Sequence, residues 1–175
     1  LLVNHLLNYF YSNNNEQFYN LKSSEYNQNN NLSKMISANT HPNILKIKKK
    51  KDKKIIDIDQ IREMIQFTNQ TSFNNERKFI IIEDISLLGI NSANALLKSI
   101  EDPNNKTYYI LINNSEFKIL ETIRSRCLEF KLSLNNSETI EVVNYYFNSD
   151  KYNDINLDFI NNYNSPSFLI SLVDF

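Results

Sequence analysis

An α/β fold built on a parallel sheet is what this sequence predicts, and three observations carry the prediction. Phe79-Ile80-Ile81-Ile82 is a short, uninterrupted run of β-branched and aromatic residues, the pattern of a strand covered on both faces. A second run, Tyr108-Tyr109-Ile110-Leu111-Ile112, follows a segment in which Ala93, Leu96, Leu97 and Ile100 recur at helical spacing. Strand, helix, strand is a βαβ unit, the crossover that parallel strands require. The first run also ends in two acids, Glu83 and Asp84. The carboxyl end of a buried strand lies on the edge where α/β proteins place ligands, and carboxylates there can hold Mg²⁺ directly or through water.

Taken in order, the chain opens inside a helical pattern, with Leu2, Leu6, Leu7 and Phe10 on one face and no cap before them. Residues 13–31 are polar, Asn-rich and dotted with aromatics, which reads as loop or frayed helix. Ile44-Leu45-Lys46-Ile47 is a short strand. Residues 48–54, nearly all lysine and broken by Asp52, read as a solvated hairpin or loop tip. The same lysines can also steer nucleic-acid phosphates, although no aromatics interleave them. Asp57 is placed to cap the next helix, with Gln60 three residues on to complete a capping box worth about 1 kcal/mol. Ile58, Ile61, Ile65 and Thr68 then share its inward face.

The helix at 91–101 is capped by Gly89 or Asn91 and stopped by Pro103. The strand after it ends in Asn113 and Asn114, and a third helix at 118–124 brings Arg124-Ser125-Arg126-Cys127 to a surface. Residues 128–132 alternate as a strand and close a first domain, 1–133. Asn135-Asn136-Ser137 reads as linker and cap for a helix at 137–147 with Ile140, Val143 and Phe147 inward. Two more short helical patterns, at 157–163 and 166–173, make 134–175 a small three-helix domain.

At 175 residues the chain holds one good core, or one domain and part of another. A net charge of −1 argues against a global basic field for nucleic acid. No apolar run is long enough to span a membrane and no signal-peptide pattern opens the chain, so a cytoplasmic address is the expectation. Cys127 is the only cysteine, which excludes an internal disulfide or a cysteine-based zinc cluster and suits a small apolar core residue. His41 lacks neighbouring ligands and reads as a turn residue, so no metal site is expected.

Several motifs agree in order and spacing with a known family. Glu83-Asp84 after a hydrophobic strand, Ser92-Ala93-Asn94-Ala95-Leu96-Leu97-Lys98, Glu101-Asp102-Pro103 and Thr122-Ile123-Arg124-Ser125-Arg126-Cys127 resemble the AAA+ core of bacterial DNA polymerase III clamp-loader subunits, above all the delta-prime branch. Ile58-Asp59-Gln60-Ile61-Arg62-Glu63 resembles the same branch. The resemblance implies an AAA+ (RecA-like) core over 1–133, lacking its phosphate-binding loop, and part of a helical lid over 134–175. It implies a chain cut at both ends. No GxxxxGK[ST] occurs, and many members carry four cysteines near residues 33–42 where this chain has none.

The resemblance also implies site roles. Glu83 and Asp84 take the Walker-B-like position, in swapped order relative to an active ATPase. Asn113 and Asn114 fall in the sensor-one region. Phe168 stands where the second sensor's arginine belongs. Arg126, within Ser125-Arg126-Cys127, is the arginine finger that such subunits lend in trans. The expectation is a stator without its own ATPase and with no cofactor of its own, set beside ATP-Mg held by a gamma/tau-like motor subunit. A delta-like subunit, the sliding clamp and primed DNA come with the assembly, which belongs to the DNA polymerase III holoenzyme. The alternatives are an active ATPase whose phosphate loop lies upstream of Leu1, and a DNA-binding module using the lysines at 48–54.

Overall fold

Strands pair here where apolar side chains line both faces of the backbone. The computed structural model describes residues 2–12, 19–23, 25–113, 119–132 and 134–147, and the chain divides into two compact units, Leu1–Leu128 and Glu129–Phe175. The first unit opens with helix α1 (Leu2–Tyr11), the antiparallel two-residue strands β1 (Tyr19–Asn20) and β2 (Glu25–Tyr26), and helix α2 (Asn31–Ser37). Strand β3 (Ile44–Ile47), helix α3 (Ile58–Asn69), strand β4 (Lys78–Ile82), helix α4 (Ile90–Glu101), strand β5 (Thr107–Leu111) and helix α5 (Glu121–Arg124) follow.

β3, β4 and β5 form a parallel sheet in that order, with Ile44 opposite Phe79 and Ile82 opposite Leu111. All five residues of central β4 are buried. Phe79 and Ile81 enter one apolar cluster with Leu7, Ile36 and Ile44, supplied by α1, α2 and β3. Ile80 and Ile82 enter the other, with Ile61, Met64, Ala93, Leu96 and Ile123 from α3, α4 and α5. This is the strand period of two expressed as helices on both faces of the sheet. Burying one isoleucine is worth about 1.5–3 kcal/mol, so the short β4 run anchors both layers.

The expected strands at 44–47 and 79–82 and the βαβ crossover are all present. β5 is less covered than its sequence suggests: Tyr108 is exposed and the following residues are half-buried, with only β4 paired to it among the described residues. Asp57 caps α3 as expected, its side chain accepting from Gln60 N at 3.2 Å. The second half of that capping box is not made. Gln60 Nε2 donates instead to Lys48 O at 2.9 Å, tying the first turn of α3 to the end of β3. Asp57→Ala is expected to cost about 1 kcal/mol, read as a lower urea midpoint at unchanged slope.

Three other expectations are corrected. In α1, Leu7 and Asn8 are buried while Leu2 and Leu6 are exposed. The inward face is set by Ser33 Oγ donating to Asn8 Oδ1 at 2.6 Å, which draws α2 onto α1. Residues 19–26 carry paired strands rather than loop, with Tyr26 and Tyr19 meeting His5 edge-on at 4.8 and 6.2 Å. Residues 128–132 form no strand: Leu128, Phe130 and Leu132 are 87, 81 and 76% exposed. Their alternation supplies an apolar side but no described strand pairs with it, and an extended segment alone is not stable.

His41 packs against Tyr11 with the rings tilted 42° and their centroids 4.3 Å apart, and its Nδ1 accepts from Asn43 N at 3.3 Å. Burial lowers its pKa below the usual 6.5, so the neutral ring is favoured in the folded chain. The resulting stability is present above pH 6.5 and is lost as pH falls through the folded-state value. His41→Gln should therefore flatten the fall in melting temperature between pH 7 and 5, measured against the unsubstituted protein.

In the second unit, helix α6 (Asn136–Phe147) starts with a complete capping box: Glu138 N donates to Asn135 Oδ1 at 2.9 Å, and Asn135 N to Glu138 Oε2 at 2.8 Å. Thr139 is buried and Ile140 half-buried. The expected inward side chains of Val143 and Phe147, the helical patterns at 157–163 and 166–173, and Phe168 lie outside the described residues.

Candidate functional site

The carboxyl edge of the sheet is built by ladder bonds that continue past the strands. Glu83 N donates to Ile47 O at 3.0 Å, Ile112 N to Ile82 O at 2.9 Å, and Ile85 N to Ile112 O at 2.9 Å. Glu83 and Asp84 therefore leave β4 at this edge, with Asn113 just beyond β5. Glu83 and Asn113 are exposed and Asp84 is half-buried; Asn114 lies outside the described residues. Asp84 is committed to a turn, Ile85–Leu87, where its Oδ1 accepts from Ser86 N at 3.0 Å and Ser86 Oγ at 2.6 Å. That turn is pinned from the side, since Ile56 N donates to Leu87 O at 2.7 Å and Ser92 Oγ to Ile56 O at 3.0 Å. Gly89 then serves as N-cap of α4.

α4 carries the chain away from these acids. Its 12 residues span about 18 Å at 1.5 Å each, ending at Glu101, from which the chain turns through Pro103 into the start of β5. Glu101 binds Arg126, with Nη2 2.7 Å from its Oε1. Arg126 Nη1 also donates to Thr122 O at 2.9 Å and Ser125 Oγ at 3.3 Å. An acid in the last turn of a helix faces the negative end of the helix dipole, and the guanidinium offsets that.

Two side chains hold this corner in place. Ile123 is buried in the α3–α4 cluster and half-buried Cys127 packs against it, leaving Arg124, Ser125 and Arg126 exposed between them. Burial raises the Cys127 thiol pKa, as suits a packed thiol. The Arg126 side chain keeps 39% of its exposure. The geometry thus separates the expected site residues into two places, the acids at one end of α4 and Arg126 at the other. Through its ion pair with Glu101, Arg126 stands at the C-terminal end of α4, and the acid-bearing turn precedes the N-terminal end of that helix.

Sequence reasoning missed two participants. Glu101 was visible only as a motif member before Pro103, because its pairing with Arg126 is non-local. Lys46 gave no signal within a four-residue strand, yet its Nζ donates to Asn4 Oδ1 at 3.4 Å and Ile36 O at 3.3 Å. The lysines at 48–54 are exposed throughout and form a turn. Among the described residues no three His, Cys, Asp or Glu side chains gather as a metal site, and no helix is long and apolar enough to cross a membrane.

Comparison with known proteins places this geometry in a family. The chain is 36% identical over 95 residues to the DNA polymerase III subunit delta' of Pseudomonas aeruginosa, covering 54% of this chain and 29% of that protein. It is 32% identical over 93 residues to the Escherichia coli subunit delta', covering 53% and 28%. It is 37% identical over 83 residues to the subunit gamma of Buchnera aphidicola from Schizaphis graminum, covering 47% and 23%. The chain thus spans under a third of the length of these relatives. A crystal structure of a DNA polymerase III gamma subunit-related protein from Thermotoga maritima superposes with a TM-score of 0.51 at 23% identity, over 65% of this chain and 40% of that one. That likeness speaks for the fold alone, an α/β core on a parallel sheet. A family model described as DNA polymerase III, delta subunit, matches residues 8–136, and with most of its length so matched the chain belongs to that family of clamp-loader subunits.

Proposed function

We propose that this chain is the core of a delta-prime-like stator in the bacterial clamp loader, acting in DNA replication in the cytoplasm. It does not hydrolyse ATP itself. It lends Arg126 to ATP-Mg bound by a neighbouring gamma/tau-like motor subunit, and with a delta-like subunit it takes part in opening the sliding clamp on primed DNA. One observation carries the reading: Arg126 stands exposed, splayed on Thr122 O and Glu101, at the end of α4 remote from the chain's own acid pair. A guanidinium so held suits a phosphate brought by another subunit, where it would stabilise charge building on the transferred γ-phosphoryl group.

Glu83 and Asp84 support the non-hydrolysing half. Their order places the longer carboxylate first, and Asp84 Oδ1 is occupied by Ser86. Phosphoryl transfer tolerates little displacement of a metal-bound carboxylate or water-orienting group. The test is a reconstituted loader carrying Arg126→Ala in this subunit, assayed for DNA-stimulated ATPase and clamp loading; unchanged rates would end the proposal.

A further inference from the structure

The end of the sheet opposite the acid pair carries a cleft of about 500 Å³, within the size range of small-ligand sites. Its walls come from the C-terminal end of α3 and the loop after it, from the first residues of β4 and β5, and from the turn between α4 and β5. Two of the lining residues are lysines, Lys78 and Lys106, and the rest are Asn, Gln, Ser and Thr. No acid lines it. Glu76 and Asp102 belong to the flanking loops but not to the walls.

Lys78 is 4% exposed, a degree of burial at which a charge is ordinarily met by an opposite one. Its Nζ donates to Phe67 O at 2.6 Å and to Gln70 O, and it lies 4.6 Å from the centroid of the Phe67 ring. These partners are neutral. The carbonyls at a helix C-terminus carry only partial charge, and among the described residues no carboxylate pairs with this ammonium. Burial accordingly lowers the Lys78 pKa.

Lys106 brings a second ammonium to the same cleft. Its backbone is left-handed, with φ 62°, a conformation that costs free energy for a residue with a Cβ and persists where the surroundings fix it. Its Nζ donates to Asn75 O at 2.9 Å and Asn75 Oδ1 at 3.2 Å, which ties the start of β5 to the turn after α3. The hydroxyls of Thr71, Ser72 and Thr107, also on the walls, make no hydrogen bond to another described residue. The cleft thus gathers two positive charges and several uncommitted donors, with no negative charge to balance them.

We propose that this cleft binds a phosphate-type oxyanion, free or as the terminal group of a small molecule, with Lys78 and Lys106 supplying the charge and Thr71, Ser72 and Thr107 the hydrogen bonds. Lysine serves phosphate as a point charge, and here one of the two is fixed in place before the anion arrives. The site lies the length of β4 away from Glu83 and Asp84 and owes nothing to Arg126, so it goes beyond the stator role.

The experiment titrates the full-length protein with inorganic phosphate by calorimetry, ionic strength being held constant with sodium chloride, while the ε-methylene NMR signal of Lys78 reports where the anion sits. Binding should saturate in the millimolar range or below, and the Lys78 signal should move with it. Lys106→Gln should weaken binding about tenfold through the loss of one nearby unit charge, and Lys106→Arg should retain most of it. Asn105→Asp, at an exposed wall position, sets a carboxylate in the cleft and should abolish binding. Lys78 is left in place, because its loss would strip α3 of its C-terminal donor. Ribose 5-phosphate is the second probe: saturation that responds to the same variants shows that the cleft takes phosphate on a carrier, and saturation by inorganic phosphate alone assigns the site to the free anion. A titration that stays linear through the millimolar range with both probes overturns the proposal, and so does saturation that Lys106→Gln and Asn105→Asp leave unchanged. Melting temperatures in chloride check that the variants fold. If Lys106→Gln does not, Asn105→Asp decides, since that side chain makes no hydrogen bond to another described residue.

Discussion

Replacing Arg126 by alanine is expected to lower the DNA-stimulated ATPase of a reconstituted loader roughly 10³-fold at the site this subunit faces, within the range of about 10³ to 10⁵ for arginine fingers. The subunit itself should fold as before. Its ion pair with Glu101 is half-exposed on both sides, and such pairs contribute about 0–1 kcal/mol. A large catalytic loss beside a negligible shift in melting temperature is the signature of a group whose work is done on another subunit's substrate.

Two further variants sharpen this. Arg126→Lys keeps the charge but loses the planar fork, so it should restore only a small part of the rate. Glu101→Gln removes the internal partner while sparing the guanidinium, and it should change the rate by a few fold at most. A Glu101→Gln loss as deep as that of Arg126→Ala would mean that the ion pair, and not the free guanidinium, is what the loader needs. Size-exclusion chromatography of each reconstituted complex separates lost chemistry from lost assembly.

The parts of this fold legible in the sequence are those whose cause is local. The strand 79–82 shows itself because four consecutive apolar residues leave no polar face, and the Asp57 cap because its acceptor reaches an amide three residues on. The face of α1 was misread because the decisive contact, Ser33 Oγ to Asn8 Oδ1, joins residues 25 apart and buries an asparagine where pattern favours leucine. Residues 128–132 were misread for the converse reason: alternation is necessary for a strand, but a pairing partner makes one. In the site, Arg126 and the acid pair could be picked out by motif. That α4 holds them at opposite ends, and that Lys46 is fastened to α1 and α2, follows only from the crossover and from hydrogen bonds between distant segments.

The second large effect is structural. Phe79→Ala is expected to destabilise the chain by about 3–5 kcal/mol, the cost of truncating a buried aromatic. Phe79 is 2% exposed, and its ring lies 5.3 Å from Phe10, 5.6 Å from Tyr11 and 5.4 Å from Tyr108. It is the one side chain of β4 whose ring meets both α1 and β5, so the cavity opens between layers that cannot easily close on it. Whole domains are stable by only about 5–15 kcal/mol, and each kilocalorie moves the melting temperature of a chain this size by about 2–4 °C, so a drop of roughly 10 °C is expected. Phe79→Leu keeps much of the volume and should cost under about 2 kcal/mol. Urea unfolding of both variants tests this. A loss below about 1 kcal/mol for Phe79→Ala would mean that α1 does not pack on β4 as described, and the anchoring of Lys46 through Asn4 of that same helix would fall with it.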